Sequence, residues 1–280
     1  MQLRQMLLAL HDATLALRAS LIDLADRHRH TVYPAHTHTQ PAQPSTVAHY
    51  LLAAIEELER DGRRLAAAFA STNVNPLGAC AITGTGFPID RHRTSVLLGF
   101  SGPTGNTYGS IATVDYLLES AAAASVTLVG LVAAAMSDAT FNTTLMRERA
   151  GMHGVSITEL ADTLAREHGL AFRLAHGIAA RMVTGLRERP GTPVSDLLRE
   201  ASLAETGREI VIAEAALAEL LSPEHFVAVR RTLGGPNPEV TGQALDASRA
   251  LLDADRADLA ARRAALAAAD AARKAALAAL

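Results

Sequence analysis

The sequence predicts an all-α protein: a long-helix bundle with a small helical C-terminal domain. Three observations carry this. Ala and Arg are abundant, with 57 alanines and 25 arginines among 280 residues, and both side chains favour helix. Long stretches, such as 3–29 and 243–280, contain neither Gly nor Pro. No segment alternates apolar and polar residues with the β-branched and aromatic content of a strand.

The elements follow in order. Leu7, Leu8, Leu15, Leu17, Leu21, Ile22 and Leu24 recur at helical spacings and predict a first long helix near 5–30. Thr31 to Pro44 reads as a loop, because Pro34, Pro41 and Pro44 cannot all lie inside a helix. Ser45 or Thr46 caps a second helix, 46–70. Residues 71–100 are rich in Gly, Pro and Thr and read as irregular, with a short helix from Asp90 to Leu98. A third long helix spans 107–136 and is apolar all round from Leu117, as in the middle of a bundle. Ser156 opens a further helix in a capping box with Glu159, ending at Gly169. Helices over Ala171–Arg187, Val194–Leu203, Ala204–Leu221 and Pro223–Leu233 precede the break at Gly234-Gly235-Pro236-Asn237-Pro238. In the last segment Leu245, Leu252, Leu259 and Leu266 recur every seven residues. This thin stripe fits a docked or frayed terminal helix, or a coiled coil. The expected domains are 1–138, a bundle region; 139–250, a helical C-terminal domain; and 251–280, an Ala-rich tail.

Composition excludes several functions. The net charge of −3, without a basic stripe, argues against a nucleic-acid partner. A single cysteine, Cys80, excludes a disulfide framework, and among Ala79, Ala81 and Ile82 it is expected to be buried and inert. Ala121 to Met136 carries Ser125, Thr127 and Gly130 and is short for a membrane span, so no membrane association is expected. The first residues lack a signal-peptide pattern, and a cytoplasmic location is expected.

The unusual segment is Ala35-His36-Thr37-His38-Thr39-Gln40-Pro41-Ala42-Gln43-Pro44. Imidazoles, hydroxyls and amides precede a helix N-terminus, which favours anions. Such a segment suits a substrate bearing carboxylates, with His38 placed to move a proton or stabilise negative charge. A capped loop with solvated histidines is the plainer alternative. The pairs His28/His30 and His36/His38 raise a zinc site, but no nearby carboxylate completes a ligand set. Thr83-Gly84-Thr85-Gly86 is Gly-rich yet follows no strand, which speaks against a dinucleotide site.

Thr37-His38-Thr39-Gln40-Pro41-Ala42-Gln43-Pro44 resembles the T-H-x-Q-x-A-Q-P segment of argininosuccinate lyases, in the aspartase/fumarase superfamily. The likeness continues through Asn75-Pro76-Leu77-Gly78-Ala79, Gly84-Thr85-Gly86-Phe87-Pro88-Ile89-Asp90-Arg91, Asn106-Thr107 and Asp115-Tyr116-Leu117-Leu118-Glu119. A later block, Ser156 to Val183, and Gly234-Gly235-Pro236-Asn237-Pro238-Glu239 resemble the C-terminal domain of these lyases.

The resemblance implies reversible β-elimination of argininosuccinate to arginine and fumarate, with no cofactor or metal. It makes His38 the catalytic histidine, Thr37 a substrate contact and Gln40 a support for the loop or a carboxylate. Asn106 stands for a substrate-binding asparagine, and Thr107 stands where the family has serine. It also implies a homotetramer whose sites draw segments from three chains. The family's signature loop, S-S-x-M-P-x-K-x-N-P, whose serine is the usual carbon base, occurs nowhere in the sequence. The N-terminal S-R-N-D-Q segment is likewise expected to be missing. Cys80 stands where glycine is usual, and Gly109, Ala112, Thr113 and Val114 replace a polar D-x-x-S-D-R pattern. Two alternatives remain: a non-catalytic helical partner of a full-length lyase, and a lyase acting on another succinyl-type substrate.

Overall fold

A computed structural model of the protein describes residues 1–114, 132–133, 135–137, 139–152 and 154–279. Two compact units emerge. The first comprises Met1–Asp23, Ala53–Ala139 and Ala247–Leu280; the second comprises Leu24–Leu52 and Thr140–Asp246.

The first unit takes residues 2–23 of α1 (Gln2–Arg27), 53–72 of α2 (Val47–Thr72) and 247–278 of α11 (Pro238–Ala278). The apolar positions read from the sequence for α1 are buried. Leu7, Leu8, Leu15, Leu21 and Ile22 of α1, with Ile55, Leu65 and Phe69 of α2, are withdrawn from water. The seven-residue leucine stripe of α11 is buried at Leu245, Leu252 and Leu259 and half-buried at Leu266, so the last helix is docked.

Polar staples set its register. The wholly buried Arg18 guanidinium pairs with Asp255 and lies 3.5 Å from Glu59 Oε1. Ser248 Oγ donates to the same Glu59 oxygen at 2.5 Å. Arg262 Nη1 donates to the Ala66 carbonyl at 3.2 Å, with its guanidinium 4.9 Å from the Phe69 ring centroid. Removing one partner of such a buried pair strands the other charge, typically at a cost of about 3–5 kcal/mol.

Short helices α3 (Arg91–Leu98) and α4 (Gly109–Ala112) also belong to the unit. Asp90 caps α3 by accepting from the His92 and Arg93 amides, and Gly99 closes it in the left-handed region. The buried Arg4 guanidinium donates to the Leu98 and Gly99 carbonyls at 2.8 and 2.6 Å. A cation there offsets the negative end of the helix dipole. The expected helix over 107–136 differs at its start. α4 ends at Ala112, and Thr113 is extended, its Oγ1 donating to the Gly109 carbonyl at 2.7 Å. A hydroxyl bonded back in this way competes with helix. Residues 115–131 of that expectation lie outside the described residues.

The second unit holds a correction. Where a loop is expected, β1 (Val32–Thr37) and β2 (Gln40–Thr46) form an antiparallel hairpin. Pro34 pairs with Pro44 and His36 with Pro41. In a two-stranded ribbon both strands are edges, so prolines cost no ladder bond when their nitrogens face outward.

The hairpin base packs on α5 (Thr143–Ala150) and α10 (Pro223–Val229) through Val32, Ala150 and Val227. The remaining helices are α6 (Ile157–His168), α7 (Phe172–Glu188), α8 (Val194–Thr206) and α9 (Glu214–Leu220). They enclose Leu160, Leu164, Ile178, Met182, Leu198 and Leu217. The segment read as one helix over 204–221 divides because Gly207 ends α8 in the left-handed region. Ile210 and Ile212 of the connection pack on the core.

The capping box at Ser156 is also corrected. Ser156 Oγ donates to the Leu221 carbonyl at 2.5 Å. The buried Glu159 carboxylate pairs with Arg230 and, at 3.1 Å, with Arg166. Burial pushes that carboxyl up, but the two guanidinium partners outweigh it and hold the group below the usual carboxylate range.

Candidate active site

The hairpin places Thr37, His38 and Gln40 together at its tip, all exposed. Thr37 and Gln40 are the last pair of the ladder, so His38 and Thr39 form a two-residue turn. Their φ values are +48° and +68°. Positive φ at both central positions matches the hairpin's twist, and Asn and Gly normally provide it. A histidine and a β-branched threonine adopt it at a cost of roughly 1–2 kcal/mol each. The strain turns an imidazole and two hydroxyls outward on the shortest available turn. Strain of this kind is concentrated at functional positions.

Asn106 and Thr107 lie in the first unit, on the loop leading into α4. Asn106 Oδ1 accepts from the Tyr108 and Gly109 amides at 2.8 and 3.0 Å. Its carbonyl accepts from Ser110 Oγ at 2.9 Å. With Oδ1 spent on the turn, the amide group is what Asn106 can offer a ligand, and it is a donor. Thr107 lies beside Gly84, where an added Cβ would sit 3.9 Å from Thr107 Cγ2.

The Asn106 loop is held from behind by Arg91. Arg91 donates to the carbonyls of Leu77 at 2.9 Å, Thr104 at 3.2 Å and Asn75 at 3.4 Å, and to Thr104 Oγ1 at 2.8 Å. Thr104 Oγ1 in turn bonds Ser110 Oγ. The wholly buried Asn75 ties the same region together, donating to Thr94 and Ser95 hydroxyls and accepting from the Leu77 amide. The motifs around Asn75 and Arg91 are therefore the frame of the Asn106 loop. Their spacing in sequence gave no sign of this role. A cavity of about 510 Å³ opens beside that loop, lined among others by Thr72, Phe100, Thr104, Asn106 and Ser110. Among the described residues it offers hydroxyl and amide donors and no carboxylate, which suits an anionic guest.

Other candidates separate from these two. Cys80 is exposed rather than buried, at a left-handed position with φ +52°. The His28 ring meets Phe141 edge-on at 4.8 Å, and burial and then Arg27 lower its pKa. Among the described residues no group of three or more His, Cys, Asp or Glu could hold a metal ion. Among the same residues no helix is long and apolar enough to cross a membrane.

Comparisons with known proteins bear on the family of the chain. A lyase family model matches residues 1–138, and a model of the argininosuccinate lyase C-terminal region matches residues 155–228. The argininosuccinate lyase of Methanoculleus marisnigri is 31% identical over 347 residues, covering 89% of this chain and 69% of the relative. Argininosuccinate lyase 2 of Agrobacterium fabrum is 33% identical, covering 82% and 65%. The enzyme of Natronomonas pharaonis reaches 48% over 133 residues, covering 46% and 27%.

The chain spans about two thirds of the length of the first two relatives. The match to the Methanoculleus enzyme covers 347 residues although this chain has 280, so that enzyme carries internal segments without a counterpart here. Among solved structures, EDDS lyase in complex with formate superposes with a TM-score of 0.88 at 27% identity, covering 97% of this chain and 73% of that one. A two-part match in chain order, joined to relatives aligned over most of the chain, settles descent: the chain belongs to the argininosuccinate lyase family.

Proposed function

We propose that the chain is a carbon–nitrogen lyase of the argininosuccinate lyase type, converting argininosuccinate to arginine and fumarate by reversible β-elimination. The carrying observation is the hairpin tip, where a strained turn presents His38 between Thr37 and Gln40. The reaction removes a Cβ proton next to a carboxylate and passes through a dianion. An acid then assists departure of the nitrogen. Fixed donors stabilise such charge. Thr37 serves as a donor to a carboxylate oxygen, Gln40 steadies the turn, and His38 moves the proton. On its own loop in the first unit, Asn106 offers an amide donor to a carboxylate, with Thr107 next to it in sequence.

The family's carbon-base serine is absent from the sequence. Since a positioned acid or base contributes roughly 10²–10⁴-fold, the chain alone turns over slowly. A homotetramer in the cytoplasm, with sites shared between chains, fits the outward-facing tip. The bundle region is read as 1–138, the C-terminal domain as 139–250 and the tail as 251–280. Fumarate release by the purified chain, followed by ultraviolet absorbance, tests the reading. Slow release abolished by His38→Ala supports it. A full-length lyase whose rate rises when the chain is added, and does not rise with the His38→Ala chain, favours the partner role; no release by the chain alone together with no change in the mixture refutes both.

A second reading is a lyase acting on another succinyl-type substrate. The superposition on EDDS lyase favours it, as do the small residues Gly109, Ala112 and Thr113 near the donor loop. Running the reaction backward with fumarate and a panel of amines identifies the amine consumed.

A further inference from the structure

We propose that His49 is a positioning residue, the brace that sets the angle at which the hairpin presents His38. The inference rests on the reading of His38 as the catalytic histidine. His49 lies in the first turn of α2, directly after the hairpin. Its ring joins two structures. Nδ1 is 2.8 Å from Ser45 Oγ, and Nε2 is 2.9 Å from the Gly234 carbonyl oxygen. The carbonyl can only accept, so Nε2–H donates to it, and Nδ1 shares a hydrogen bond with the serine hydroxyl.

Both ends of this brace are firm. Ser45 is buried and pairs with Tyr33 across the hairpin base. Gly234 belongs to a loop with little freedom. Its φ is +76°, and a Cβ on Gly235 would sit 2.4 Å from the Arg230 carbonyl oxygen. Asn237, nearly buried, donates to the Ala228 carbonyl at 2.7 Å and accepts from the Glu239 amide at 2.9 Å.

A two-stranded ribbon is marginally stable by itself. Here Val32 holds one strand of the base through the contact with Ala150 and Val227, and His49 holds the other beside the buried Thr46, whose Oγ1 lies 3.5 Å from the Pro236 carbonyl oxygen. From Ser45 to the turn the strand runs roughly 17 Å at about 3.4 Å per residue, so a tilt of about 5° at the base moves the tip by roughly 1.5 Å. Displacements near 1 Å at a reacting group cost about 100-fold in rate. The two family segments lying far apart in sequence, the hairpin and the Gly234–Pro238 loop, are thus one mechanical unit joined by an imidazole.

The test compares His49→Ala, His49→Gln and His49→Asn in the full chain. Gln reaches the Gly234 carbonyl with a donor, whereas Asn keeps reach only to Ser45. The first readout is amide hydrogen exchange. His49→Ala and His49→Asn raise exchange over 36–43 by about tenfold while α6–α8 keep their protection, and His49→Gln restores it. The second is fumarate release from argininosuccinate, where His49→Ala lowers kcat by about tenfold or more with KM within about twofold. Unchanged exchange at the tip, or a uniform loss across the second unit, overturns the proposal. If no variant, nor the unsubstituted chain, releases fumarate, the functional reading fails and the exchange pattern alone decides the brace.

Discussion

The tip of the hairpin and the loop carrying Asn106 hold their polar side chains by opposite means. The tip is exposed and anchored only at its base, and its turn stores strain at His38 and Thr39. The Asn106 loop is cross-linked along its length by Arg91, Thr104 and Ser110, and its asparagine is itself a structural acceptor. One segment is built to reach outward and the other to stay still. A donor that must meet a fixed carboxylate gains from rigidity, whereas a group that meets its substrate from outside needs reach.

Substitutions at the two places should behave as mirror images. His38→Ala should lower fumarate release by roughly 10²–10⁴-fold while moving the unfolding midpoint little, since its side chain is exposed. A matching loss of stability in thermal melts would erase the contrast. Arg91→Ala should do the reverse, destabilising the first unit by about 3 kcal/mol because it strands several carbonyls at once. Urea unfolding measures this, and a loss under about 1 kcal/mol would mean that the loop stands without it.

Thr39→Gly should stabilise the hairpin by about 1 kcal/mol by relieving the left-handed strain. Loosening the turn should simultaneously slow turnover. A variant both more stable and equally active would show that the strain has no use.

Asp90→Asn gives the smallest effect. The Arg93 and His92 amides hold the Asp90 carboxyl below its ordinary value. Its contribution is therefore present above the unfolded-state pKa and fades as pH falls through the lowered folded-state value. Acid titration of stability should flatten slightly in that window for the variant, and identical curves would deny the cap any role.

The long helices were legible because Ala and Leu repeat at the period of a buried face, as Leu7, Leu15 and Ile22 show. The hairpin was not. Its strands carry Pro34, Pro41 and Pro44 in place of alternating β-branched residues. What holds it is the contact with Ala150 and Val227, far away in sequence. Ser156 has the spacing of a capping box, but its hydroxyl is drawn to Leu221 by tertiary contact. At the proposed site, His38 is visible through its motif. The acceptor role of Asn106, the reach of Arg91 and the brace of His49 depend on folding and leave no periodic trace.

Arg18 carries a consequence for how much of the carboxyl-terminal helix can be removed. Its counter-ion Asp255 sits near the start of the segment, 251–280, that composition alone marks as a simple alanine-rich extension. Trimming the chain ahead of that aspartate would leave a cation sealed in hydrocarbon with only the more distant Glu59 to answer it. The apparent appendage is therefore a keystone, and shortened versions should accumulate as insoluble material where point changes in its outer face do not.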